Sequence, residues 1–207
     1  MPSELWALAM TAVSIGFIHT CAGPDHYLPF VALAKARKWT GNKTLLLTFV
    51  CGAGHVFASA VLGAVGVLLG FGVAKLQKIE TYWGNIGAWG LIAFGLLYFA
   101  WGIKRAGKME HEHVFKLSPW VLFIIFVLGP CEPLIPLLIY GAAKFGFYGA
   151  SLTFLLFACT TVLTMLAAVL AALRGVTLLP TFHLERYSHA LAGAVIFVSG
   201  LVIQVGF

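Results

Sequence analysis

Long apolar runs alternate with short polar ones along the chain, at a spacing that suits helices crossing a bilayer. A transmembrane helix needs about 20 predominantly apolar residues, and six stretches supply them, at roughly 5–33, 44–73, 82–103, 119–142, 151–173 and 187–206. The first is too long for one straight helix, and Gly23-Pro24 falls inside it. Proline offers no N–H and clashes with the preceding turn, so a broken helix is expected there.

The polar runs between the stretches differ in charge. Lys35, Arg37, Lys38 and Lys43, then Lys104, Arg105, Lys108 and Lys116, then Arg174 and Arg186 fall in alternate loops, while Lys75, Lys78 and Lys144 fall in the others, ten against three. Lysine and arginine concentrate in cytoplasmic loops, so the first group is expected inside and both termini outside. No Lys or Arg precedes Lys35, which a signal peptide would require, so the first segment is expected to be retained.

The two halves repeat. At an offset of 106, Phe17, Ile18, Gly23, Pro24, Leu28 and Lys38 meet Phe123, Ile124, Gly129, Pro130, Leu134 and Lys144, and at 105 Tyr82 and Gly95 meet Tyr187 and Gly200. Three spans per unit make the second unit enter the membrane from the opposite side. The expected fold is all-α and polytopic: six transmembrane helices as two inverted three-helix repeats, with broken first and fourth helices meeting near the midplane, as in many secondary transporters. The expected units are 1–103, a cytoplasmic linker loop 104–118, and 119–207. Close glycines such as Gly63, Gly66 and Gly70, or Gly84, Gly87 and Gly90, suit helix packing in lipid.

Composition agrees with this picture. The chain has 207 residues, 61% of them hydrophobic and 10% charged, against about 45–50% and about 25% in a soluble domain. The net charge of +6 comes from the loop lysines and arginines, so nucleic acid is excluded as a partner and the lipid bilayer is expected. Cys21, Cys51, Cys131 and Cys159 lie in apolar stretches without framework spacing, which argues against a disulfide-stapled secreted fold.

Candidate chemistry gathers at the two breaks. Of seven acids, Asp25 and Glu132 each follow a Gly-Pro step inside an apolar run, while Glu4, Glu80, Glu110, Glu112 and Glu185 read as loop or near-end residues. An acid near a span centre costs about 2.5–3.5 kcal/mol on insertion scales, so function is the expected reason for both. His26 adjoins Asp25, and His19 precedes it in the same stretch. Cys51 and His55 share one face of the second span. In the repeat, His19, Asp25, His26 and His55 align with Ile125, Cys131, Glu132 and Thr161, so both halves keep the break and supply different ligand types. Imidazole, thiolate and carboxylate together suit nickel, cobalt or zinc better than magnesium or calcium.

The expected site therefore comprises His19, Asp25, His26, His55, Cys131 and Glu132, with Cys21, Cys51 and His189 as secondary candidates. His111 and His113, in Met109-Glu110-His111-Glu112-His113, form a candidate loop for gathering metal. The metal is expected as substrate, with protons as a candidate coupling ion; no organic cofactor and no enzymatic activity are expected.

The run from His19 to Pro24-Asp25-His26, followed by His55 in the second span, resembles the nickel/cobalt permease families and the related urease-accessory-type, sulfite-exporter-like membrane proteins. Those relatives carry His, four residues, then Asp-His or Gly-His; here five residues separate His19 from Asp25. The resemblance implies a permease for nickel or cobalt in the inner (plasma) membrane of a prokaryote. Gly129-Pro130-Cys131 also looks like the Pro-Cys break of the transmembrane thiol–disulfide carriers of cytochrome c maturation, which leaves electron transfer between Cys21 and Cys131 as an alternative. Export of a small anion is a third, because half-helix N-termini attract anions.

Overall fold

The computed structural model describes residues 2–70, 72–106, 119–129, 131–177 and 185–205. These residues are almost entirely helical, and no strand occurs among them. The helices are α1 (Pro2–Ala22), α2 (Leu28–Ala36), α3 (Gly41–Leu68), α4 (Val73–Ala106), α5 (Pro119–Leu128), α6 (Leu134–Thr177) and α7 (Ser188–Val205). Five of them, α1, α3, α4, α6 and α7, are long and apolar enough to cross a bilayer. Large apolar side chains face outward along them, Phe17, Phe57, Leu97 and Leu163 among others, and in water such a surface would aggregate. The protein is an integral membrane protein.

Both expected breaks are present. α1 ends where the Gly23 N–H donates to the His19 carbonyl, and a 3-10 turn, Pro24–His26, follows. Its N–H groups at His26 and Tyr27 donate to the carbonyls of Gly23 and Pro24, at 3.1 and 3.3 Å. α2 then begins, and most of its side chains are buried. The second break lies between α5 and α6: the Gly129 N–H closes α5 on the Ile125 carbonyl at 3.1 Å, and the Leu134 N–H opens α6 on the Cys131 carbonyl at 3.0 Å. The Cys131 N–H, left without a helical partner, donates to Ser59 Oγ on α3.

α6 is longer than either apolar stretch from which it is built, because it contains a reversal. Gly146 has φ 63° and ψ −152°, a conformation open almost only to glycine. A Cβ on Gly141 would lie 2.9 Å from the Gly149 carbonyl oxygen, whereas residues eight apart in a straight helix are about 12 Å apart. The chain therefore folds back on itself at Gly146. α4 also exceeds expectation: it begins at Val73 instead of near 82, which draws Glu80 out of the expected loop and into a helix.

Two apolar clusters make the core. One joins Phe30 and Leu33 of α2 to Phe94 and Tyr98 of α4, Phe126 of α5, Met165 of α6 and Ile196 of α7. The other joins Ala12 of α1, Val56 of α3, and Cys131, Leu134 and Phe157. α4 and α7 form the most extensive helix pair, and their tightest approach lies at Gly95, Gly102, Gly193 and Gly200 instead of the glycine triplets singled out in the sequence. A Cβ on Gly95 would run into the Phe197 backbone nitrogen, and one on Gly193 into the Phe99 backbone nitrogen.

Candidate metal centre

Three of the expected residues come together. One ring nitrogen from each of His19, His26 and His55 lies within 4.8 Å of the other two. His26 is central, with ring centroids 4.9 Å from His19 and 5.3 Å from His55, both edge to face. His26 and His55 are buried, and the Nε2 atoms of all three have no hydrogen-bond partner. Buried polar atoms in this state are uncommon in folded proteins and call for an explanation.

The breaks explain why the rings stand as they do. Residue 130 is proline, which supplies no N–H, so the carbonyl four residues earlier, that of Phe126, loses its helical donor. His55 Nδ1 lies 3.2 Å from that oxygen. At the first break, His26 Nδ1 lies 3.1 Å from the Gly23 carbonyl and 3.4 Å from Asp25 Oδ2. A carbonyl accepts and cannot donate, so in both rings the proton sits on Nδ1 and the Nε2 lone pair is free. A backbone carbonyl or carboxylate behind Nδ1 is the arrangement that orients metal-binding histidines.

Gly23 makes room for this turn. A Cβ there would lie 2.5 Å from His26 Nδ1 and 2.9 Å from Asp25 Oδ1, so the two side chains fold over a position that only glycine leaves open. In a tetrahedral site with metal–nitrogen bonds of about 2.0–2.1 Å, ligand nitrogens stand about 3.4 Å apart. The present spread, up to 4.8 Å, is wider. The donor set fits a borderline divalent cation.

A cavity of about 460 Å³ opens beside the cluster. His19, Asp25, His26 and His55 line it, as do Asn85 of α4, Gln204 of α7 and Glu132. Asn85 Oδ1 accepts from Gln204 Nε2 at 3.3 Å. No Lys or Arg is among the described residues lining the cavity.

The other expected residues stand apart from the imidazoles. Glu132 shares the cavity but is not in the cluster, and it is exposed. Cys131 is fully buried in the second apolar cluster, and Cys51 lies in the first. Cys21 is exposed, and all four cysteines are free. His189 is engaged elsewhere, 2.8 Å from the Tyr98 hydroxyl and edge-on to Trp101. His111 and His113 lie outside the described residues. Sequence reasoning missed the Phe126 carbonyl, whose only signal is the proline four residues later; outside the cluster it also missed Glu80, which is 1% exposed on α4 with Oε1 lacking a hydrogen-bond partner.

Compared with protein families, with curated proteins and with solved structures, the chain matches none.

Proposed function

We propose that the protein is a membrane permease for a divalent transition-metal cation of the nickel, cobalt or zinc kind, with the cation as substrate. The observation that carries this reading is the trio of His19, His26 and His55 with unpartnered Nε2 atoms, two of the rings held from behind by backbone carbonyls at the helix breaks. Asp25, 18% exposed beside His26, supplies negative charge to offset the cation. Cation binding requires deprotonated ligands, so protons are the natural counter-ion, exchanged at Asp25.

In the full form of the proposal, six spans are arranged as two inverted repeats. α1 with α2 forms the first broken span, and α5 with the part of α6 before Gly146 forms its counterpart. The positive-inside bias places the loop 34–43 in the cytoplasm and both termini outside, in the inner membrane of a prokaryote. The contacts agree with a bundle of two charged ends: Lys144, beside the Gly146 reversal, pairs with Glu4 at the start of α1 at 3.2 Å, and Arg186 Nε donates to the Ala106 carbonyl at the other end.

Electron transfer between Cys21 and Cys131 is disfavoured, because one thiol is exposed while the other is sealed in an apolar cluster. An anion substrate is disfavoured by Asp25 and Glu132 on a cavity wall without lysine or arginine among its described residues. The test is metal content and calorimetry on detergent-purified protein with nickel, cobalt and zinc, followed by cation flux into proteoliposomes. Wild type should bind and transport; His55→Ala should lose binding about a hundredfold or more, and Asp25→Asn should lose transport without unfolding. Wild-type flux that persists in Asp25→Asn, or a wild type that binds no metal, would sink the proposal.

A further inference from the structure

Among the described residues, Glu80 is the one buried acid that the imidazole cluster does not use. It sits on α4 at 1% exposure, and its Oε1 has no hydrogen-bond partner. One helical turn further along the same face, a Cβ on Gly84 would lie 4.0 Å from Glu132 Oε1, so the Glu132 carboxylate rests over the face that carries Glu80. Burying one carboxylate beside another is unfavourable unless something positive is shared between them.

The position of the pair is as informative as its charge. Gly84, Gly87, Ala88 and Leu91 continue the Glu80 face of α4 and line the cavity that contains the histidines. Glu80 and Gly87 are seven residues apart, about two turns and about 10 Å along the helix. Glu132 lines the same cavity as the imidazole trio, and Glu80 is buried on the face of α4 that continues into that lining.

We propose that Glu80 and Glu132 form a second cation position beside this cavity, separate from the imidazole cluster. Two carboxylates make a hard oxygen site, which takes a divalent cation still carrying part of its water shell; the imidazoles make the softer, more selective one. This deepens the permease reading and rests on it for the order of events: the cation loses water at the carboxylates and is then passed to nitrogen ligands. The site itself is testable without transport.

The experiment uses the full chain in detergent, with cobalt followed by equilibrium dialysis and elemental analysis, and manganese followed by electron paramagnetic resonance. Wild type should hold two cobalt ions per chain. Glu80→Gln and Glu132→Gln should each hold one and should bind manganese about tenfold more weakly or worse. His55→Ala should also hold one cobalt, yet bind manganese as wild type does. Glu132 is exposed, so Glu132→Gln keeps the test open if Glu80→Gln fails to fold. Wild-type cobalt stoichiometry and manganese affinity in both glutamate variants would overturn the carboxylate site and leave the imidazole site standing. Loss of one of the two cobalt ions in His55→Ala with manganese retained supports both sites, and a wild type that binds neither metal overturns both.

Discussion

Gly23, Pro24, Asp25 and His26 act as a unit in which each side chain depends on the backbone of another. Replacing Gly23 by Ala should push the Asp25 and His26 side chains off the positions they occupy over it. Cobalt affinity, read by calorimetry, should fall about tenfold to a hundredfold while the helical circular dichroism stays as in wild type. His19, Asp25, His26 and His55 were legible in the sequence because each is costly in an apolar run. Glu80 was not, because Lys75, Lys78 and Thr81 surround it and make the segment look like a loop. Only the helical arrangement shows that Glu80 and Leu76 turn inward while their neighbours face out. Nor could residue type reveal that Cys131 turns into an apolar cluster while the adjacent Glu132 turns into the cavity.

Among the elements, the breaks were readable from Gly-Pro, and their ends are fixed by bonds that follow from proline chemistry. The reversal inside α6 is fixed by one residue. Gly146→Ala forces a Cβ into a region closed to it and should destabilise the protein by about 1–3 kcal/mol, seen as a lower melting temperature in detergent. The end of α2 offers the opposite experiment. Lys38 has φ 51°, and the N–H groups of Trp39 and Lys38 donate to the carbonyls of Ala34 and Lys35, the pairing of a Schellman cap. A residue with a Cβ pays about 1–2 kcal/mol there, so Lys38→Gly should raise the melting temperature. Hydropathy placed the apolar stretches well but set the start of α4 too late, because its first turns are amphipathic instead of uniformly apolar. Helix pairing was the least legible feature: any glycine permits close approach, but which ones meet depends on how α4 and α7 face each other.

For the whole molecule, the unequal distribution of lysine and arginine makes a topological prediction. In a cysteine-free background, a single cysteine at Lys144 should react with a membrane-impermeant maleimide from outside intact cells, and one at Lys43 should react only after permeabilisation. The reverse pattern would invert the orientation but leave the fold unchanged. The glycine contacts between α4 and α7 bear on how such a bundle can move. Backbone against backbone leaves no compressible side chain between the helices, so sliding one along the other would drive Gly95 into Phe197 and Gly193 into Phe99. These two helices must therefore travel together as a single rigid plank, and any rocking that exposes the cavity first to one side and then to the other has its pivot where this plank meets α1, α3 and α6. An engineered disulfide within the plank should leave flux intact, whereas one tying it across the cavity to α1 should stop it.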